Sequence, residues 1–157
     1  INDILYLYNS ESYSGIKKLK GFQDAWQEKL GRACTDHACF YRGKPDSIPD
    51  IADFVKQTAD KGLSFHGVIA AHDSLDIGAM KYAQQKGLRI PEDISVIGYN
   101  NSVLTNCCSP ELTSVDNCLE IQTHQLVQTL LHVLAGEGVP NKVIFSGNLI
   151  KRHTTSF

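Results

Sequence analysis

Residues 67–99 read Gly-Val-Ile-Ala-Ala-His-Asp-Ser-Leu-Asp-Ile-Gly-Ala-Met-Lys-Tyr-Ala-Gln-Gln-Lys-Gly-Leu-Arg-Ile-Pro-Glu-Asp-Ile-Ser-Val-Ile-Gly-Tyr. Gly67–Ala71 is a short apolar run without alternation, the pattern of a strand covered on both faces. Asp73 to Gln85 then carries helical spacing, and Gly87 ends the helix. A turn, Ile90-Pro91-Glu92-Asp93, leads into a second buried strand, Ile94–Tyr99. Strand, helix, strand in this order is a β-α-β unit, whose two strands run parallel.

The same alternation extends upstream. Ile4–Tyr8 is a continuous apolar run that reads as a buried strand. Ile16, Leu19, Phe22, Trp26 and Leu30 recur at helical spacing, with Ser14 as the expected N-cap. Ala38–Tyr41 is a short strand, and Asp46 to Pro49 opens a helix with Ile51, Val55 and Ala59 on one stripe. Downstream the rhythm breaks. Asn100 to Pro110 reads as a polar loop and Leu112–Val115 as a short strand. Leu119–Leu134 reads as an amphipathic helix with Leu119, Leu126, Val127, Leu130, Leu131 and Leu134 on one face. Gly136 and Gly138 end it, and Val143–Arg152 reads as the last strand. The expected class is α/β, a doubly wound parallel sheet with helices on both faces. Because a buried strand starts almost at residue 1, the chain is expected to be a piece of a longer protein.

Charge and composition narrow the function. The net charge of −2 comes without a long basic run, so this segment itself is not expected to bind nucleic acid, which needs a concentrated positive face. No apolar stretch is long enough to span a bilayer, and no basic-then-apolar signal opens the chain. The five cysteines, Cys34, Cys39, Cys107, Cys108 and Cys118, are odd in number and form no Cys-x-x-Cys pair. They read as free thiols of a cytoplasmic protein. His37, His66, His124, His132 and His153 show no metal spacing. No metal and no cofactor are expected.

In open parallel sheets ligands bind at the carboxyl ends of the strands. There this sequence places Asn9-Ser10-Glu11-Ser12 with Ser14, then His72-Asp73, then Asn100-Asn101. Short hydroxyls and amides beside a helix N-terminus suit a hydroxyl-rich or amide-rich small molecule. A hydrolase reading is weaker. No Gly-x-Ser-x-Gly elbow is present, serines at a helix start act as caps, and adjacent His and Asp point apart. Asp73 is itself explained as a helix cap. Nor is there a Gly-x-x-x-x-Gly-Lys phosphate loop. The chain is not expected to be an enzyme.

At this point the pattern resembles the LacI/GalR family of transcription regulators. Gly67–Asp73 through Gly78-Ala79-Met80 resembles a family stretch in which a strand ends in Asn-Asp and a helix carries Ala-x-Gly. Leu88–Asn101 resembles the family's most recognisable segment. Leu112–Val115 and Leu149–Thr155 match its closing strands, and Ser14 through Gly21-Phe22 its Arg-x-x-Gly-Phe helix. The resemblance covers essentially the whole chain, in order. It implies a two-lobed sensor of periplasmic-binding-protein-like fold, behind an N-terminal helix-turn-helix that alone contacts DNA. Effector binds between the lobes of a homodimer. By resemblance, residues 1–115 form the second lobe, 116–142 carry a helix of a first lobe that is mostly absent from this chain, and 143–157 return as the closing strand.

Carried over position by position, the resemblance implies effector contacts at Ser12, Ser14, Lys18, His72, Asp73 and Asn100. Three of them depart from the family pattern. Lys18 replaces an arginine and loses its planar fork. His72 replaces the Asn of Asn-Asp, and Asn100 replaces an Asp. An aromatic platform falls on Phe40 or Tyr41. The effector implied is a sugar or sugar-like molecule. The alternative is a solute-binding protein of sugar transport with the same fold; an upstream helix-turn-helix or an upstream signal peptide separates the two. The apolar helix 119–134 has no first-lobe sheet to cover it here. It is expected to fold back on the remaining lobe or to pack on another copy.

Overall fold

The structure is a computed structural model and describes residues 3–156; Ile1, Asn2 and Phe157 lie outside the described residues. In chain order the elements are β1 (Ile4–Tyr8), α1 (Tyr13–Leu30), β2 (Ala38–Phe40), α2 (Ile48–Asp60), β3 (Gly67–Ala70), α3 (Asp73–Gln85), β4 (Ser95–Tyr99), a single turn α4 (Leu104–Cys107), β5 (Thr113–Asp116), α5 (Leu119–Leu134) and β6 (Asn148–Ile150). The strands form one sheet in the order β2-β1-β3-β4-β5-β6. The first five pair in parallel, and β6 pairs antiparallel with β5. The chain winds outward in both directions from β1, as a doubly wound sheet does.

Period-two alternation within β1 assigns the two faces. Leu5 and Leu7 are fully buried and join Ile51, Val55, Leu75, Met80, Val96 and Leu112 in the core under α2 and α3. Tyr6 points the other way and stacks on Phe22 of α1, with ring centroids 4.8 Å apart. Trp26, one turn further along α1, is buried on the same side. Between α2 and α3 the backbones approach so closely that a Cβ on Gly78 would lie 2.2 Å from the Ile51 side chain. Only glycine fits there.

Four local expectations change. The N-cap of α1 is Ser12, not Ser14. Ser12 is extended, and its Oγ accepts from the Gly15 amide, whereas Ser14 already lies in the first turn. The residue capping α3 is His72, which makes no side-chain cap bond, and Asp73 turns away from its own helix. The loop after β4 holds the turn α4, fixed by Thr105, whose Oγ1 donates to the Ser102 carbonyl. The last strand is only Asn148–Ile150, because beyond it Arg152 and Thr154 bond side chains and backbone of Thr113 and Val96 instead of extending the ladder.

The helix α5 does not fold back on the sheet. None of its residues is buried, and Leu126 and Leu134 are 68% and 74% exposed. Its capping residue Cys118 has positive φ, and the helix leaves the sheet on the connection after Asp116.

Candidate functional site

The carboxyl ends of β1, β3, β4 and β5 lie along one rim, because all four strands are parallel. After β1 the chain passes Asn9, Ser10 and Glu11 and caps α1 with Ser12, whose Oγ also accepts from Ser10 Oγ at 2.9 Å. The α1 N-terminus presses on this bend. A Cβ on Gly15 would lie 2.2 Å from the Ser10 carbonyl oxygen, so glycine at 15 is what lets the helix start there. Ser14 is exposed on the first turn.

One turn on, Lys18 reaches inward. Its Nζ donates to the Ala71 carbonyl at the end of β3 at 2.9 Å and stands 4.0 Å from the centroid of the Tyr99 ring. Burial holds the Lys18 ammonium below the usual lysine range, and the Asp73 carboxylate partly opposes this. Two of its three N–H donors are left for other acceptors.

His72 follows Ala71. Its Nε2 lies 3.0 Å from Asn9 Oδ1 and its Nδ1 2.7 Å from Ser74 Oγ. Burial first, and the Lys18 charge second, push its pKa down, against Asp46 and Asp73. Asp73 faces elsewhere. It is buried; Oδ1 accepts from Ser114 Oγ at 2.6 Å and Oδ2 from the Ser102 amide at 2.7 Å. Gly98 makes room for it, since a Cβ there would come within 2.3 Å of Asp73 Oδ1. His72 and Asp73 therefore share no partner, and they are not arranged as a catalytic pair.

Asn100 is exposed, with φ 107°, and its Oδ1 accepts from Asn117 Nδ2 at 3.3 Å. Asn101, φ 49°, accepts from the Arg152 guanidinium at 2.7 Å and donates to Asp116 at 3.4 Å. These residues and Cys118, φ 56°, border a cavity of about 810 Å3 at the ends of β4 and β5. Asn117, Leu119, Glu120 and Asn148 complete much of its wall. Backbone strain at three non-glycine positions gathers around this one opening. Among the described residues no cluster of three His, Cys, Asp or Glu is placed to hold a metal.

The rim thus joins Lys18, His72 and Asn9, with Tyr99 leading to Asn100. Ser12 spends its hydroxyl on the helix start, and Asp73 spends both oxygens on the frame behind the rim. Of the two aromatic candidates, Tyr41 is buried against Phe54 in the core. Phe40 lies edge-on to Tyr8 with Arg42 over its ring. The sequence placed Asn9 on the rim without its bond to His72, and did not single out Asn117. Their signal was position, since each directly follows the last residue of a strand.

Comparison with known proteins bears on the fold and the family. Residues 1–155 match the periplasmic binding protein-like domain family. An HTH-type transcriptional regulator of Lachnoclostridium phytofermentans is 42% identical over 162 residues, covering 99% of this chain and 46% of that protein. The crystal structure of a sugar-binding LacI-family regulator from Escherichia coli, complexed with phosphate, superposes with TM-score 0.84 at 27% identity, covering 98% of this chain and 55% of that one. The fold also matches the lac repressor dimer bound to operator and the anti-inducer ONPF, with TM-score 0.82 at 24% identity over 98% of this chain and 52% of that one. The chain spans about half the length of the curated relatives it matches. These relatives are transcriptional regulators, not enzymes or transport proteins. Sequence and fold converge, and the chain belongs to the LacI/GalR family, whose periplasmic-binding-protein-like domain it carries.

Proposed function

We propose that this chain is the effector-sensing part of a DNA-binding repressor and that it binds a small polar molecule, a sugar or sugar-like compound, on the rim described above. The observation that carries this reading is the convergence of uncharged donors and acceptors beside a single half-buried ammonium. Lys18 bonds the end of β3 and stands over the Tyr99 ring, His72 bonds Asn9 beside it, and Ser14 and Asn100 lie exposed at the neighbouring ends of α1 and β4. Such a lining satisfies hydroxyls without demanding charge. Ser12 and Asp73 serve the site from behind, by fixing the α1 start and the Ser102 loop.

In this reading residues 1–115 are one lobe, 116–142 reach into a second, and 143–157 return. DNA is contacted only by a helix-turn-helix outside this chain, and the full-length protein is a cytoplasmic homodimer. Calorimetry of the full-length protein against neutral mono- and disaccharides tests the site. Lys18→Ala and Asn100→Ala should each weaken binding by about 1–3 kcal/mol, the cost of leaving a polar partner unpaired. Unchanged affinity in both variants removes this rim as the effector site.

A further inference from the structure

Resting on the effector-binding reading of this rim, we infer that Asn9 is a specificity-determining contact whose side-chain amide N–H groups donate to an acceptor oxygen of the ligand, and that His72 is the positioning residue that aims it. The geometry is a three-member relay across two strands. Asn9 Oδ1 lies 3.0 Å from His72 Nε2, and because an amide oxygen can only accept, this amide orientation assigns the ring proton to Nε2. Nδ1 is then an acceptor, and the buried Ser74 hydroxyl, 2.7 Å away, donates to it. Ser74 lies in the first turn of α3, His72 at its cap, and Asn9 at the exit of β1.

The consequence falls on the far end of the relay. With Oδ1 engaged, the Asn9 amide is held in one of its two flips, and its Nδ2 donors point away from His72. Asn9 is half-buried at the strand exit, beside the Ser10–Ser12 bend. A preset donor pair there selects ligands that present a hydroxyl, ether or carbonyl oxygen and discriminates against ligands that present only donors. The opposite flip, with Nδ2 donating to Nε2 and Nδ1–H donating to Ser74, would offer an acceptor instead. The ring tautomer therefore states which chemistry the rim reads. The low pKa of His72, set by burial and by the Lys18 charge, keeps the ring neutral, so the tautomer is defined at neutral pH.

Nitrogen-15 NMR of the histidine rings in the ligand-free full-length protein gives the first test. Neutral His72 protonated on Nε2 is the expected state, and the Nδ1–H tautomer overturns the inference. The second test is calorimetric, with neutral mono- and disaccharides as probes. For the sugar that binds, Asn9→Ala should weaken affinity about tenfold or more with little change in melting temperature, and Asn9→Asp should weaken it further. Affinity that Asn9→Ala leaves intact while Lys18→Ala abolishes it overturns the contact but keeps the effector site. Absence of binding by every sugar defeats the sugar reading itself, and the ring tautomer then decides the Asn9–His72 pair alone.

Discussion

Side chains with identical chemistry take opposite roles here according to what surrounds them, and Asp73 and Asp76 show it. Asp73 has a full set of partners. Asp76, one turn later, is completely buried; its carboxyl turns toward the Ala70 and Asp76 amides, but neither oxygen completes a hydrogen bond. Burial, and then the Asp73 charge, raise its pKa well above the usual carboxylate range. The folded state therefore keeps a proton that the unfolded chain loses. Stability from this group is fully present below the ordinary carboxyl pKa and falls as pH rises toward the folded value. Asp76→Asn removes the ionisable group at equal volume. It should raise stability near pH 7 by on the order of 1–3 kcal/mol and flatten the decline above pH about 4, read by thermal melts across pH. Tyr6, whose hydroxyl is buried without a partner, is pushed up to about 12, chiefly by burial, and stays neutral throughout. At this scale the sequence supplied identities but not partners. The sequence put His72 and Asp73 together at the end of β3, but only His72 faces the rim. That one would bond Asn9 and Ser74, and the other Ser102 and Ser114, depends on strand neighbours far apart in the chain.

Elements were legible where periodicity is strong, and their ends were not. The strands β1, β3 and β4 and the helices α3 and α5 stand where continuous apolar runs and helical spacing put them. The cap of α1 moved to Ser12 because the helix start is set by Gly15 packing on the Ser10 carbonyl, a tertiary contact that local pattern does not encode. The turn α4 was hidden in a polar stretch because one turn is too short to show a period. Asp73 is the joint that holds this region together, tying α3 to β5 through Ser114 and to the loop before α4 through Ser102. Asp73→Asn replaces an acceptor by a donor that faces one of these two groups. It should destabilise the protein by about 1.5–3 kcal/mol, the cost of one hydrogen bond to a charged group. The loss should concentrate in faster hydrogen exchange at residues 100–108. Uniform exchange across the sheet would show that the joint is not local.

The whole molecule divides between a sheet that buries its core and a helix that buries nothing. The parallel order of the first five strands could be read from the alternation of strands and helices alone. The placement of α5 could not, because its apolar stripe states only that something should cover it. The connection to α5 leaves the sheet after Asp116 and comes back at Asn148, and these two residues are paired across β5 and β6. Both tethers of the excursion are thus neighbours. In engineering terms the excursion is a removable cassette. Cutting out residues 117–147 and joining Asp116 to Asn148 through an Asn-Gly turn converts β5 and β6 into an ordinary hairpin. The 157-residue chain, with Leu126, Leu130 and Leu134 exposed, should bind hydrophobic dye and associate with concentration, and the shortened protein should lose both while keeping a cooperative thermal transition. Loss of the transition would mean that the cassette holds the sheet together. Its retention makes the sheet a minimal chassis, open at one adjacent pair of ends to whatever segment is spliced in.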